Sequence, residues 1–301
     1  MQDQVESLRA ANIPAAYINS TLSAQEVDET MQLASGGYLK LLYIAPERLE
    51  SAAFLQALSQ LYVPLLAVDE AHCISQWGHD FRPSYRAIQK LFTLWAQQPT
   101  VLALTATATP AVCEDIRQLL SIDEKATLIT GFERENLAFT VLIGENKERY
   151  IKNYIEKNKS EVGIIYAATR KSVDALYDSL TRAGVSVAKY HAGLSENLRM
   201  TEQERFLKDE ARIMIATNAF GMGIDKSNVR FVIHYQMPRN MESYYQEAGR
   251  AGRDGLPSAC ILLYASGDVQ TQRFLIEQTR DEARIAQELE KLQTMVDYCH
   301  T

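Results

Sequence analysis

Short apolar runs alternate with longer amphipathic stretches along nearly the whole chain. Runs 40–45, 64–69, 101–105, 162–167, 185–190, 212–216, 229–235 and 259–264 are rich in Val, Ile and Leu and mostly continuous rather than alternating. That pattern suits strands buried on both faces of a parallel sheet. Between them, residues 5–11, 23–33, 110–120, 147–158, 172–183 and 195–207 carry helical spacing. Alternating strand and helix predicts an α/β fold. Thr109 before Pro110 reads as a helix N-cap with proline in the first turn, Ser195 as a second N-cap, and Gly184 as a helix stop. A domain boundary is expected near 131–136, separating 1–132 from 133–267, and the charged tail 268–301 is expected to be helical.

Composition narrows the class. With 47% hydrophobic and 23% charged residues, the 301-residue chain has the make-up of a globular protein, not of a disordered or collagen-like one. No apolar run approaches the roughly 18 residues of a membrane span, and the polar start Met1-Gln2-Asp3-Gln4 is unlike a secretory signal. A net charge of −7 means that any nucleic-acid surface must be local. Cys73, Cys113, Cys260 and Cys299 are widely spaced, form no C-x-x-C pair, and suggest a reducing cytoplasm.

Five stretches carry candidate chemistry. In 65–72, an apolar strand ends in Asp69 and Glu70, followed by His72. Carboxylates at a strand's carboxyl end can hold Mg²⁺ through water and orient an attacking water, although such a pair also serves as a helix cap. The alternation Thr105-Ala106-Thr107 follows another strand and reads equally as a capping turn. Residues 246–255 set Gln246, Arg250 and Arg253 among three glycines. Arginines three apart share a helix face and suit phosphate oxygens, or compensate a helix dipole. Residues 216–227 place Thr217, Gly221 and Gly223 after a strand, a loop type that lets backbone approach phosphate. The pattern G-x-x-x-x-G-K-[ST] occurs nowhere in the sequence. In 73–83, Gln76, Trp77, Phe81 and Arg82 offer aromatics and a cation that can stack unpaired bases or simply pack a turn.

Taken in order, these stretches resemble the RecQ family of DNA helicases within superfamily 2. Asp69-Glu70-Ala71-His72 resembles motif II, and residues 76–82 resemble the aromatic-rich loop, the most family-specific stretch. Thr105-Ala106-Thr107 is similar to motif III, 165–170 to motif IV, 190–194 and 216–225 to the motif V region, and 246–255 to motif VI. The Asp-Glu-Ala-His form with that loop points away from DEAD-box RNA helicases. The resemblance implies two RecA-like parallel-sheet lobes with ATP in the cleft between them, the first lobe incomplete. The tail 268–301 would begin a helical zinc-binding subdomain.

It further implies Asp69 holding Mg²⁺ through water, Glu70 polarising the attacking water, and Arg253 acting as the arginine finger, with Arg250 and Gln246 near the phosphates. His72 would relay nucleotide state to the DNA side. Gln76, Trp77, Phe81, Arg82, Thr169, Arg170, Thr217 and Gly221 would meet DNA, single-stranded or partly duplex. The implied activity is ATP-driven 3′–5′ unwinding in DNA recombination and repair, in the bacterial cytoplasm beside the nucleoid. The family's opening glutamine segment and Walker A loop have no counterpart in these residues, so Met1 is expected to be internal to a longer protein. The zinc ligands are expected beyond Thr301, and the isolated chain is expected to lack ATPase activity. A non-catalytic nucleic-acid-binding remnant is the alternative.

Overall fold

A computed structural model describes the chain except residues 79, 132, 222, 223, 225 and 279–281, and except the side chains of residues 3 and 282–284. The chain divides into two units, Met1–Phe132 and Glu133–Thr301. The first runs α1 (Gln2–Ala10), β1 (Ala15–Ile18), α2 (Ala24–Ser35), β2 (Leu41–Ile44), α3 (Ala52–Leu58), β3 (Leu65–Val68), β4 (Thr100–Ala103) and α4 (Pro110–Leu120). Helix starts follow local chemistry. Ser23 opens α2 with a reciprocal capping box to Glu26, and Thr109 accepts the Val112 amide ahead of Pro110.

β1 pairs in parallel with β2, and β3 with β4, as two separate two-stranded sheets. Leu66, Val68, Val101 and Ala103 pack into a core with Ile74 and Ile116. On the opposite face Leu65, Leu102 and Leu104 are 51%, 43% and 48% exposed. The continuous apolar runs predicted strands covered on both faces. Here β3 and β4 are covered on one, and the second face is apolar surface against water.

The second unit runs β5 (Leu137–Ile143), α5 (Lys147–Lys157), β6 (Val162–Tyr166), α6 (Arg170–Arg182), β7 (Val187–Tyr190), α7 (Glu196–Leu207), β8 (Ile213–Ala216), β9 (Val229–His234), α8 (Met241–Ala248), β10 (Ser258–Tyr264), α9 (Ser266–Glu277) and α10 (Glu282–His300). Its six strands form one parallel sheet in the order β5-β10-β9-β6-β8-β7. Every residue of β6 and β8 is buried, as their unbroken apolar sequences require. Gly163 is essential to that packing, because the Phe231 ring occupies the space a Cβ would take. From central β6 the chain goes out to β7, returns by β8 and crosses to β9, so direction reverses at β6. The tail helix α10 packs Leu292, Met295 and Cys299 against Tyr244 and Leu262.

Two strands had no predicted counterpart. β1 is only four residues, two of them alanine, and β5 is an edge strand whose residues 138–140 are exposed. Among the described residues no helix is long and apolar enough to cross a membrane.

Candidate nucleotide and nucleic-acid sites

The chain leaves β3 through an acidic turn. Asp69 Oδ1 accepts the Glu70 amide at 2.9 Å, and Glu70 takes a left-handed conformation with φ of 49°. A non-glycine residue there carries strain that the surrounding structure must hold. Two backbone bonds do so: the Ala71 amide donates to the Leu104 carbonyl and the Leu104 amide to the Val68 carbonyl, each at 2.9 Å. The strand exits of β3 and β4 are thereby locked together. Asp69 is exposed and Glu70 half-buried at this strand end. An exposed acidic pair at that position fits a hydrated Mg²⁺ and an oriented water.

His72 is 1% exposed, and its Nδ1 lies 3.0 Å from Thr105 Oγ1 and 3.4 Å from Glu70 Oε2. Thr105 donates its hydroxyl proton to the Thr107 carbonyl at 3.1 Å. Glu70, His72, Thr105 and Thr107 form one connected polar path between the two strand exits.

The loop after this turn is also anchored. Ser75, fully buried, donates to Asp115 of α4 at 2.6 Å and accepts the Trp77 amide at 3.1 Å, which leaves the Trp77 side chain 57% exposed. Gln76 is exposed, and Phe81 lies under the Arg86 guanidinium at 5.4 Å. Arg82 donates Nε and Nη2 to Asp80 Oδ2 at 3.0 and 2.6 Å. His79, within the same stretch, lies outside the described residues. Gly78 is buried where an added Cβ would overlap the His72 carbonyl oxygen. Gly78→Ala is expected to destabilise the first unit by about 1–3 kcal/mol, as overpacking against rigid backbone does, read from the urea midpoint.

In the second unit, Thr169 caps α6 by accepting the Ser172 amide at 3.1 Å, and exposed Arg170 begins that helix beside Gly193. His191 fixes the neighbouring turn: its Nδ1 accepts the Gly193 amide at 3.1 Å and its Nε2 meets Asp174 at 3.3 Å. Thr217 is buried, and its amide donates to the Tyr190 carbonyl at 3.1 Å. Gly221 has φ of +134°, and the Arg250 guanidinium fills the place of its missing side chain while Nη1 donates to the Gly221 carbonyl. Arg250 is 8% exposed. Arg253 is exposed and donates to the Ile224 carbonyl at 2.9 Å. Both arginines expected at phosphate donate to backbone carbonyls; Arg250 is buried and Arg253 is the exposed residue. Gln246 is half-buried on α8. Met222, Gly223 and Asp225 of the 216–225 stretch lie outside the described residues.

Several structural partners have no local sequence signal. Buried His234 and Glu247 meet at 2.8 Å, beside a cavity of 260 Å³ at the carboxyl ends of β6 and β9 that Gln236 and Arg239 also line. Lys147 and Asp268 pair at 2.7 Å across 121 residues. Among the described residues no group of three or more His, Cys, Asp or Glu is placed to hold a metal ion.

A DEAD/DEAH box helicase model matches residues 1–116, and a helicase conserved C-terminal domain model matches 146–255. The ATP-dependent DNA helicase RecQ of Bacillus subtilis (strain 168) is 57% identical over 301 residues, covering 100% of this chain and 51% of that protein. The chain belongs to the RecQ family.

The RecQ of Pasteurella multocida (strain Pm70) is 40% identical over 302 residues, covering 100% of this chain and 48% of that protein. This RecQ-family chain thus spans about half the length of the curated relatives it matches. Among solved structures, the Mycobacterium smegmatis helicase Lhr bound to ssDNA and AMP-PNP aligns with a TM-score of 0.66 at 18% identity, covering 94% of this chain and 37% of that one. The DUF1998 helicase MrfA bound to DNA aligns with a TM-score of 0.67 at 17% identity, covering 92% of this chain and 40% of that one. These likenesses show the RecA-like helicase-core fold.

Proposed function

We propose that this chain is the motor portion of an ATP-dependent 3′–5′ DNA helicase that couples ATP hydrolysis to movement along single-stranded DNA, in recombination and repair. The observation that carries the reading is the path from Glu70 through His72 to Thr105, which joins an acidic strand end to the exit of the neighbouring strand. Asp69 would hold Mg²⁺ through water and Glu70 would take the proton of the attacking water. Arg253, exposed on the second unit, would answer the charge that develops on the transferred phosphoryl group. Arg250 would hold the backbone at Gly221 and act on phosphate only indirectly. Mg²⁺, when bound, supplies charge neutralisation at the phosphates.

Trp77 and Phe81 would stack on bases, with Gln76 and Arg82 alongside. Thr169, Arg170, Thr217 and Gly221 would follow the sugar-phosphate backbone. Anisotropy of a labelled oligothymidylate tests this on the 301-residue chain. Trp77→Ala is expected to cost about 1–3 kcal/mol of binding, as loss of one stacked base does. Arg170→Ala is expected to flatten the salt dependence by about 0.7 in logarithmic slope, the share of one phosphate on a single strand. Binding untouched by both substitutions would contradict the assignment, and equal competition by RNA of the same sequence would contradict DNA selectivity. A second reading, a nucleic-acid-binding module without catalysis, is favoured by one observation: no G-x-x-x-x-G-K-[ST] occurs in these residues.

A further inference from the structure

We infer that the contact between Cys73 and Asp80 is the joint through which the acidic turn positions Phe81 and Arg82, and that Cys73 and Asp80 are positioning residues for nucleic-acid contact. Cys73 directly follows His72 and is 1% exposed. Its Sγ lies 3.7 Å from His72 Nε2 and 3.8 Å from Asp80 Oδ2, to which the thiol donates. The thiol thus stands between the His72 ring and the Asp80 carboxylate. Burial, with the negative charge of Asp80, pushes the Cys73 thiol up to about 12, so the S–H donor persists throughout the neutral range. Asp80 in turn gathers the Arg82 guanidinium, and the Arg82 amide returns to the Cys73 carbonyl at 2.9 Å. One side chain thus stands between the Glu70–His72 path and the residues flanking Phe81. Packing alone would be served equally by an apolar side chain. The distinguishing feature is the hydrogen bond.

This rests on the reading of 76–82 as a single-strand contact. The test is anisotropy of a labelled oligothymidylate with the whole 301-residue chain, alongside the urea midpoint of its tryptophan fluorescence. Cys73→Ser keeps a donor and is expected to bind like the unaltered chain, even if its midpoint falls. Cys73→Val removes the donor with a somewhat larger apolar side chain, and is expected to bind about fivefold more weakly, the effect of one lost hydrogen bond, in protein shown to be folded by its midpoint. Asp80→Asn, at a half-exposed position that tolerates the change, is expected to weaken binding similarly. Unchanged binding by Cys73→Val and Asp80→Asn overturns the inference while leaving the DNA assignment intact. Should Cys73→Val not fold, Asp80→Asn alone decides in the same sense. No binding by the unaltered chain overturns the DNA assignment, and this inference with it.

Discussion

Assayed by itself, the 301-residue chain is expected to hydrolyse ATP at least about 10²-fold more slowly than a polypeptide in which the same residues follow a phosphate-binding loop and its lysine. Amides and a lysine cradling the β- and γ-phosphates stabilise charge as it develops, and removal of one such donor costs about 10²–10³ in turnover. Among the described residues, the glycine-bearing stretch 216–227 gives its Gly221 carbonyl to Arg250 and its Ile224 carbonyl to Arg253. The measurement is single-strand-stimulated phosphate release from the two polypeptides side by side. In the one carrying the loop, Glu70→Gln is expected to lower turnover by a further factor of about 10²–10⁴, the usual contribution of a positioned general base. Equal turnover by both polypeptides would show that phosphate is held in some other way.

The largest stability effect is expected at Asp268. Its carboxylate takes Lys147 Nζ at 2.7 Å, the Met237 amide at 3.2 Å and the Ala265 amide at 3.1 Å, and it is 5% exposed. Lys147 also donates to the Tyr235 carbonyl at 2.8 Å. One side chain therefore ties α5, the segment after β9 and the start of α9. Asp268→Ala leaves a mostly buried ammonium without its counter-charge and two amides without their acceptor, a change expected to destabilise the second unit by about 3–5 kcal/mol. Both tryptophans, Trp77 and Trp95, lie in the first unit. Tryptophan fluorescence should then keep its urea midpoint while the far-ultraviolet circular dichroism transition splits, its second-unit component moving to lower urea. A shift of the fluorescence transition instead would place the damage in the wrong unit.

Much of the second sheet was legible from its residues. Runs such as Val162-Gly163-Ile164-Ile165-Tyr166 have no charged side chain, and the only polar group is the Tyr166 hydroxyl, so burial on both faces follows directly. The first unit was harder to read. Leu65-Leu66-Ala67-Val68 looks the same in one dimension, yet only alternate residues find a core. Periodicity reports what a strand can bury, not what is present to cover it. The acidic turn was evident because Asp69 and Glu70 end an apolar run. The committed role of Arg250 was hidden, since it depends on a glycine 29 residues away with φ of +134°. The Cys73–Asp80 contact and the Lys147–Asp268 tie were hidden for the same reason: their partners meet only after the chain has folded.

The assignment of Arg253 to the developing phosphate charge is tested most directly by single-turnover ATP hydrolysis, with single-stranded DNA, in the polypeptide carrying the phosphate loop. Arg253→Ala is expected to slow the chemical step by about 10³-fold, the lower end of what an arginine finger contributes, while DNA affinity and the circular dichroism spectrum stay as they were. An Arg253→Ala protein that turns over ATP at the unaltered rate would contradict the motor reading at its centre.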